Sequence, residues 1–452
     1  MREKIENKIQ KLYKTTNSGI LKDVNSRLNY LKKLRSAIIH NQHKIELALY
    51  EDLKKSPQEA FLTEIAMVLK EVNLHISKLK KWAKPKKVST PIYINPSRSR
   101  IIYEPMGVAL IIAPWNYPFN LLMTPLIGAI SAGCAAMLKT AEIAPATAHV
   151  VDKIIREVFD EGHVEIVHGG KIENTILLEQ KFDIIFFTGS PRLGKIVYKA
   201  ASETLTPVVL ELGGKSPCIV DQDANLKLAA RRIAWGKLIN AGQTCVAPDY
   251  VYVHKSLKDR FLQQLVVEIE RMYGSNAQQS EYYPRLISSE AFDRAVALLK
   301  GEQIYYGGSV DRDEKYISPT ILTSLGADSP VMCEEIFAPI LPVLDFEDVS
   351  EAIDYINSHE KPLALYYFGS SAQSVLKRTS SGGACVNDTI MHVSNNNLPF
   401  GGVGNSGLGR YHGQESFLCF SNTRSVVYSP TWVDMPFKYP PFKFFSFVKR
   451  LF

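Results

Sequence analysis

The sequence predicts an α/β protein built from a doubly wound parallel sheet and a second α/β domain. Between residue 106 and about residue 210, short apolar strand patterns alternate with helical patterns. The same alternation resumes after TPVVLELGGKS and continues toward the C-terminus. Short apolar strands joined through helices imply right-handed crossovers and a parallel sheet that is covered on both faces. Such sheets bind nucleotides and other ligands at the carboxyl ends of their strands.

The first 105 residues are predicted to form helices and then an extended arm. Residues 1–83 carry apolar side chains at three- and four-residue spacing, which is typical of amphipathic helices. The segment SPQE predicts a helix start, with Ser56 as the N-cap and Glu59 in the capping-box position. Residues 84–105 are punctuated by proline and rich in β-branched side chains, so they predict strands or a hairpin arm.

The strands of the two α/β domains can be placed in order along the chain. In the first domain they are GVALIIAP, CAAMLKT, VEIVHGG and FDIIFFTG, with helical patterns such as NLLMTPLIGAISAG between them. In the second domain they include PCIVD, YVYVHKS, ALYYFGS and ACVND, with helices in AARRIAWGKLIN and FLQQLVVEIERMY. No repeat of fixed period interrupts this pattern.

The composition is that of an ordinary globular protein and excludes several function classes. The 452 residues are 46% hydrophobic and 22% charged, with a formal net charge of +7. The positive charge falls in local clusters such as KLKKWAKPKK rather than in a basic stripe, so nucleic acid is not expected as a partner. Six cysteines without a CxxC pair predict neither a zinc site nor a disulfide framework, and they favour a cytoplasmic setting. Neither a signal peptide nor a transmembrane run is predicted.

The C-terminal segment 436–452 mixes aromatic residues with Lys and Arg. One interpretation is contact with a membrane surface. The other is packing across a subunit interface, where aromatic residues are enriched. Its three prolines argue against one continuous amphipathic helix, so the interface is favoured.

A glycine-containing turn, FFTGSPRLGKIV, follows the last predicted strand of the first domain. Gly189 ends the strand and Gly194 opens a helix, so backbone N–H groups can approach a phosphate, with the Ser190 hydroxyl as a further donor. The spacing resembles a Walker A loop, but Ile196 stands where that motif needs Ser or Thr to ligate Mg²⁺, which excludes this interpretation. The alternative is a plain glycine-capped turn.

Three other positions carry groups suited to covalent catalysis, each with an ordinary alternative. Cys245 in NAGQTCVAPD is either a reactive nucleophile or a small buried apolar residue. Glu211 ends an apolar strand, where desolvation raises a carboxyl pKa toward that of a general base, although a lone glutamate more often points to solvent. Asn116 in APWNYPFNLL either donates its amide to an oxyanion or forms a turn before Pro118. Each signal is weak by itself.

Seven short motifs occur in one order along the chain: APWN, MLKTAE, FTGSPRLG, ELGGKSP, GQTC, EEIFAP and LPFGGVGNSGLGR. Together they resemble the NAD(P)-dependent aldehyde dehydrogenase superfamily, from about residue 1 to residue 430. The resemblance is specific because several unrelated motifs agree in order and spacing. The length and the segments CVAPDY and YHGQESF resemble the shorter class-3 type, which includes fatty aldehyde dehydrogenases.

This resemblance implies three structural units and a homodimer. Residues 1–83 and 106–210 would form a Rossmann-type cofactor domain, and residues 211–398 a second α/β, catalytic domain. Residues 84–105 and 399–452 would form a small β bridging arm and the C-terminal tail. Such arms pair with a second subunit, hence the expected homodimer.

The resemblance also implies a reaction and roles for the three candidate residues. Cys245 would be the nucleophile, Asn116 an oxyanion donor together with the Cys245 backbone N–H, and Glu211 the base that activates water. The thiolate adds to an aldehyde, the thiohemiacetal gives up hydride to the nicotinamide, and a thioester remains. Water then releases the carboxylic acid. This chemistry requires no metal ion.

The implied cofactor is NAD, with NADP as the alternative. The residues that would hold it are Lys139 and Glu142 at the adenosine ribose, Gly189, Ser190 and Gly194 at the pyrophosphate, Glu335 at the nicotinamide ribose and Phe337 near the nicotinamide. Glu142 would repel a 2′-phosphate, which favours NAD.

Two departures from the family pattern and two competing functions remain. Ala338 in EIFAP stands where the family has glycine, which predicts changed backbone freedom. The segment HVSNNNLPFGG (392–402) is more polar than expected and either lines the substrate entrance or forms a surface turn, so medium- or long-chain aliphatic or aromatic substrates are an expectation only. A CoA-acylating enzyme and a non-catalytic protein of the same fold are the alternatives. Glu211 favours water over CoA, and the complete set of three catalytic groups argues against a non-catalytic protein.

Overall fold

A computed structural model describes residues 1–326, 329–442 and 445–451. The helices are α1 (Arg2–Ser18), α2 (Val24–His40), α3 (Gln42–Leu53), α4 (Pro57–Ala60), α5 (Ala66–Trp82), α6 (Asn120–Ala132), α7 (Pro145–Val158), α8 (Lys171–Leu178), α9 (Pro191–Ser202), α10 (Leu226–Leu238), α11 (Lys258–Tyr273), α12 (Ser289–Ala297), α13 (Pro330–Cys333), α14 (Val349–Asn357), α15 (Ala372–Arg378), α16 (Gln414–Cys419) and α17 (Phe445–Val448). The strands are β1 (Lys86–Val88), β2 (Arg98–Pro105), β3 (Val108–Ile112), β4 (Ala135–Lys139), β5 (Val164–Val167), β6 (Ile184–Gly189), β7 (Val208–Leu212), β8 (Pro217–Val220), β9 (Tyr250–His254), β10 (Gln303–Tyr306), β11 (Val310–Asp311), β12 (Tyr316–Ile317), β13 (Thr320–Thr323), β14 (Ile340–Phe346), β15 (Ala364–Phe368), β16 (Gly383–Val386), β17 (Gly407–Leu408) and β18 (Ser421–Tyr428).

The first large sheet has six strands in the order β17-β7-β6-β3-β4-β5, parallel except for the antiparallel edge strand β17. Its central strands are apolar throughout because both faces are covered. Along β3, Val108 and Leu110 pack in a cluster with Ile5 and Ile9 of α1, whereas Ile111 packs in the cluster on the opposite face that includes α6. The predicted doubly wound α/β fold is therefore confirmed.

The second large sheet has seven strands in the order β10-β13-β14-β9-β8-β15-β16. Its strands pair in parallel except for β10, which runs antiparallel to β13 at one edge. The chain crosses from the first sheet to the second between β7 and β8, over residues 213–216 only. Each sheet thus belongs to a separate α/β unit, and the crossing segment directly follows β7, the strand that carries Glu211.

A third, three-stranded sheet forms the arm, with the order β1-β2-β18 and antiparallel pairing throughout. The predicted boundaries need two corrections. Glu211 lies on β7 and so belongs to the first sheet rather than to the second unit. Residues 407–408 form β17 and also pair with β7, so this part of 399–452 extends the first sheet instead of the arm. A two-residue strand carries too little pattern to be recognised from sequence.

The N-terminal region is helical, as predicted, and Ser56 is the N-cap of α4, with its side chain accepting from the Glu59 backbone N–H. Glu59 does not complete the capping box. Its carboxylate instead accepts a hydrogen bond from the backbone N–H of Asn240, 181 residues away. A π-helical turn, Phe61–Ile65, connects α4 to α5.

The tail predicted over 436–452 lies partly outside the described residues, at 443, 444 and 452. Where it is described, Tyr439, Phe442 and Phe445 are exposed. In the described part of the chain, no helix combines the length and the apolar character needed to cross a bilayer.

Candidate active site

Cys245 lies in a loop between α10 of the second unit and β9, and it is half-buried. The loop begins with three successive residues of positive φ: Asn240 at 53°, Ala241 at 51° and Gly242 at 77°. Left-handed backbone is unfavourable for alanine, and such strain persists only where the surroundings enforce it, often at functional sites. Gln243 supplies that enforcement, because its side chain bonds the Asn240 carbonyl at 3.0 Å and the Ile287 N–H at 3.0 Å.

Glu211 reaches Cys245 from the other sheet. Its side chain is 1% exposed, and neither carboxylate oxygen has a hydrogen-bond partner of normal geometry within the described chain. Burial raises the pKa of Glu211 to about 8, and interaction with the Cys245 thiol opposes that shift. A carboxyl group with this pKa is shared between its neutral and charged forms near neutral pH, as a general base requires.

The Cys245 thiol is poorly ionised in this environment. Burial, followed by the charges of Glu211 and Glu335, raises its pKa well above the ordinary thiol value. A thiolate is the reactive form of cysteine. The thiol proton therefore needs an acceptor, and the carboxylate of Glu211 is adjacent.

Asn116 lies in the turn between β3 of the first sheet and α6, and its side chain contacts the Cys245 loop. Its Nδ2 donates to the Gln243 carbonyl at 2.9 Å, and the residue is 3% exposed. The neighbouring Tyr117 hydroxyl lies 2.6 Å from Thr244 Oγ1. The structure thus brings Asn116, Glu211 and Cys245 together, although they come from three distant stretches of sequence.

A cavity of about 610 Å³ opens beside Cys245. Its lining is largely apolar and includes Leu62, Met67, Trp235, Ile239, Met272, Ile390, Met391 and Phe400. This volume falls in the range that drug-sized ligands occupy. Val393 and Ser394 also line this cavity. Asn396 is buried and donates a hydrogen bond to Glu71. The polar 392–402 segment thus both lines the substrate cavity and packs inside the protein.

Lys139 ends β4 and its ammonium group is held by backbone oxygens. It donates to the Thr140 carbonyl at 2.7 Å and the Gly169 carbonyl at 2.5 Å. Burial lowers its pKa, and the carboxylates of Glu173 and Glu142 oppose this. Glu142 lies against Gly170, where an added Cβ would approach its Oε2 to 1.9 Å. Lys139 and Glu142 therefore meet at the carboxyl ends of β4 and β5, where doubly wound sheets bind ligands.

The glycine turn after β6 differs from the prediction in one detail. Gly189 ends β6, but α9 begins at Pro191 with Ser190 as its N-cap, so Gly194 lies inside the first turns of the helix. A Cβ at Gly194 would approach Leu212 Cδ2 to 2.6 Å. The close packing of α9 on β7 thus explains why position 194 is a glycine. The first N–H groups of α9 remain suited to an anion.

Glu335 and Phe337 lie on the loop between α13 and β14. Burial raises the pKa of Glu335 to about 8, and its Oε1 has no hydrogen-bond partner among the described residues. Phe337 has a φ of 52° and packs edge-on against Trp115 at 5.5 Å. The left-handed residue is therefore Phe337, so Ala338 fits without the freedom of glycine.

A second cavity of about 340 Å³ connects these elements. Pro191 at the start of α9, Gly213, Glu335 and Ser406 are among its lining residues. The Glu335 oxygen without a partner can accept a hydrogen bond from a ribose hydroxyl of a nicotinamide dinucleotide. The N-terminus of α9 is suited to the pyrophosphate of the same cofactor. In the described ranges no three His, Cys, Asp or Glu side chains are grouped as metal ligands.

Sequence reasoning missed several groups around the site. Lys237 is 1% exposed, its ammonium group has no hydrogen-bond partner within the described residues, and burial lowers its pKa to about 8. Lys55 and Glu64 form a fully buried ion pair that touches Asn116. Charged residues in helical patterns normally face solvent, so the sequence carried no signal for them.

Comparison with known proteins agrees with this geometry. The model of the aldehyde dehydrogenase family matches residues 3–426. The chain therefore belongs to the aldehyde dehydrogenase family, and it is an enzyme that oxidises aldehydes with a nicotinamide cofactor. The predicted family and the predicted oxidation of aldehydes are confirmed.

Relatives at 43% identity include members B1 and A2 of aldehyde dehydrogenase family 3, which agrees with the predicted class-3 type. The chain is 47% identical to 4,4'-diaponeurosporen-aldehyde dehydrogenase of Staphylococcus aureus, with 96% of each chain covered. It is 42% identical to a dimeric NADP-preferring aldehyde dehydrogenase of Canis lupus familiaris, over 97% of this chain and 98% of the relative. Among solved structures, the substrate-bound state of Staphylococcus aureus AldH superposes with a TM-score of 0.97 at 46% identity, covering 99% of each chain.

Proposed function

We propose that this enzyme oxidises large apolar aldehydes to carboxylic acids by covalent catalysis at Cys245. The observation that carries the proposal is the buried, unpartnered carboxylate of Glu211 beside the Cys245 thiol, at the edge of an apolar cavity of about 610 Å³. A base, a nucleophile and a substrate cavity then share one place.

Each protein group has a defined task in the proposed reaction. Glu211 accepts the thiol proton, and Cys245 Sγ bonds the aldehyde carbon. Asn116 Nδ2 and the Cys245 backbone N–H stabilise the resulting oxyanion. A bound nicotinamide supplies the acceptor for the hydride that leaves the thiohemiacetal carbon.

The second half-reaction releases the acid. After the proton has passed to solvent, Glu211 removes a proton from water, which attacks the Cys245 thioester. The carbon–sulfur bond then breaks and the carboxylic acid leaves. Glu211 must be charged to remove the proton from water. The rate of thioester hydrolysis should therefore rise as the pH is raised through about 8.

The test measures reduced nicotinamide formation by the wild type and by Cys245→Ala with aldehydes of increasing chain length. We expect activity in the wild type, a higher kcat/KM for long apolar aldehydes, and no turnover in the variant. Glu211→Gln lacks both the acceptor of the thiol proton and the base that activates water, so thioester formation and thioester hydrolysis should both be much slower than in the wild type. Turnover that persists in Cys245→Ala would contradict the mechanism, and acyl-CoA formation in place of free acid would favour the CoA-acylating alternative.

For the cofactor we propose a preference for NAD over NADP. Glu142 lies against Gly170 beside Lys139, and its negative charge opposes a 2′-phosphate. The Canis relative is named NADP-preferring, so the proposal needs a direct comparison of kcat/KM for the two cofactors. Glu142→Gln should narrow the difference, and a wild type that prefers NADP would contradict the proposal.

We also propose that the chain forms a homodimer. The arm presents β18 as an edge strand with exposed Val427 and Tyr428, and exposed strand edges favour pairing with another chain. The Canis relative is named dimeric. Light scattering should give twice the chain mass, and a monomer would contradict this. Cytoplasmic location and an interface role for the tail stay predictions.

A further inference from the structure

Three charged side chains near one helix start contact both loops of the catalytic centre. They are Lys55, Glu59 and Glu64, here called the clamp. Lys55 and Glu64 are fully buried, and Lys55 Nζ donates to Glu64 Oε1 at 2.7 Å. A buried ion pair carries a desolvation cost that apolar residues of similar volume avoid. The other contacts of the Lys55–Glu64 pair therefore indicate the role of this pair.

The Lys55–Glu64 pair holds the turn that carries Asn116. Lys55 Nζ donates to the Asn116 backbone carbonyl at 3.0 Å. Glu64 Oε2 accepts from the backbone N–H groups of Phe119 at 3.1 Å and Asn120 at 2.9 Å, at the start of α6. A carboxylate is favoured at a helix N-terminus. The pair thus fixes both ends of the turn.

Glu59 holds the loop that carries Cys245. Its Oε1 accepts from the backbone N–H of Asn240 at 2.8 Å, where the chain turns into left-handed backbone. Asn240 Nδ2 in turn donates to the Asn116 carbonyl at 2.8 Å and the Gln243 carbonyl at 3.0 Å. The Asn116 carbonyl oxygen is therefore the point at which the clamp and both loops meet.

The π-helical turn Phe61–Ile65 gives one helix access to both loops. In a regular α-helix of 3.6 residues per turn, positions five apart point about 140° away from each other. A π-turn closes over five residues instead. Glu59 and Glu64 are five residues apart across this turn, and both carboxylates interact with the Lys55 ammonium group, Glu64 through a hydrogen bond and Glu59 through its charge.

We propose that the clamp is a positioning device for the oxyanion site: through Lys55 it fixes Asn116 where its side-chain amide meets the oxygen of the tetrahedral intermediate. This inference rests on the proposed function, in which Asn116 and the Cys245 N–H bind that oxygen. Asn116 Nδ2 gives one N–H to the Gln243 carbonyl at 2.9 Å, which leaves the second for the oxyanion.

The test variant is Lys55→Met with Glu64→Gln. The pair is changed together because Lys55→Met alone would leave a buried carboxylate without its cation. The glutamine that replaces Glu64 is not charged, yet its amide oxygen still accepts from the α6 N–H groups. The double variant therefore removes chiefly the hydrogen bond from the ammonium group to Asn116. Arg231→Met with Glu268→Gln is the control, since this pair of a partly exposed arginine and a buried glutamate joins α10 to α11 at 2.9 Å without touching either loop.

We expect kcat for aldehyde oxidation to fall about 10- to 100-fold in the clamp variant, because a donor misplaced by about 1 Å costs up to about 100-fold. KM should stay within about threefold, and the control should keep both constants within about threefold. Acylation of Cys245 by p-nitrophenyl acetate also forms an oxyanion but needs no nicotinamide, so it should slow by a similar factor.

Alkylation of Cys245 by iodoacetamide separates the clamp from the nucleophile. This displacement forms no oxyanion, so its rate at the Cys245 peptide should stay within about threefold of wild type. The clamp changes added to Asn116→Ala should cause no further loss of ester acylation, because Lys55 acts through Asn116. Full additivity, or alkylation that slows as much as acylation, would overturn the inference.

The two proposals fail in distinguishable ways. If the wild type oxidises no aldehyde but is acylated by the ester, the proposed function fails and ester acylation still tests the clamp. If the wild type oxidises aldehydes and the clamp variant matches the control, the clamp inference is wrong.

Discussion

Replacing Glu211 by glutamine should stabilise the enzyme at alkaline pH while removing its general base. The folded-state pKa of Glu211 is about 8, raised by burial from an ordinary value of 4.5. Between these values the folded protein binds the proton more strongly than the unfolded chain does. The free energy of unfolding therefore falls as the pH rises from about 4.5 to about 8. Since one pKa unit is about 1.4 kcal/mol, complete ionisation of Glu211 costs the fold about 5 kcal/mol.

Glutamine keeps the size of a neutral glutamic acid and cannot ionise, so Glu211→Gln avoids this cost. The difference in Tm between the variant and the wild type should be near zero at pH 5 and about 5 °C at pH 9, for a chain of this size. Differential scanning calorimetry in the absence of cofactor across this pH range is the assay.

The control is Glu268→Gln, which changes a buried carboxyl whose pKa is lowered chiefly by its hydrogen bond with Arg231. That variant should lose stability at neutral pH. A Tm difference for Glu211→Gln that does not change with pH would refute the argument. So would a loss of stability at pH 9, since it would mean that the folded protein stabilises the charged form.

Three further predictions concern the anchors and the cavity. Burial alone would raise the pKa of Glu71, but the hydrogen bond and charge of His75, the charge of His412 and the hydrogen bond of Asn396 lower it to about 2. Glu71→Gln should therefore lower Tm at pH 7, with a difference that shrinks as the pH falls below about 4.5 toward 2. Titration of Tm against pH checks this, and a constant difference would contradict it. Cys245 without cofactor should react with iodoacetamide more slowly than free glutathione at pH 7, because burial raises its pKa; an equal or faster rate would contradict this. Met391→Trp should narrow the apolar cavity and lower kcat/KM for long-chain aldehydes about tenfold while sparing short ones, and equal losses for both would indicate a different substrate path.

The alternation of apolar strands with helices along the sequence was enough to predict the layered fold, because the spacing of apolar residues within each element is a local property of the sequence. Local signals also identified Ser56 correctly as an N-cap. The capping-box role that they predicted for Glu59 was wrong, because its carboxylate accepts a hydrogen bond from the distant Asn240. The capping box was a reasonable prediction that tertiary contacts overrode.

The candidate site was predicted through motifs rather than through physics of single residues. Cys245, Glu211 and Asn116 gave weak signals separately, and only their order along the chain pointed to one site. The buried pair Lys55 and Glu64 gave none, because a helical charge pattern does not tell which charges face a partner inside the protein. The π-turn that orients it is likewise a tertiary adjustment.

The short crossing between β7 and β8 has a consequence for how the enzyme can be divided. Glu211 lies on β7 of the first sheet, whereas Cys245 lies in the loop before β9 of the second, so the proposed base and the proposed nucleophile come from opposite sides of this crossing. Catalytic competence is therefore a property of the docked halves and not of either one. Cleavage near residue 214 should yield two polypeptides that are each inactive, and turnover should return only when the two reassociate. Activity of the enzyme would then report on fragment complementation.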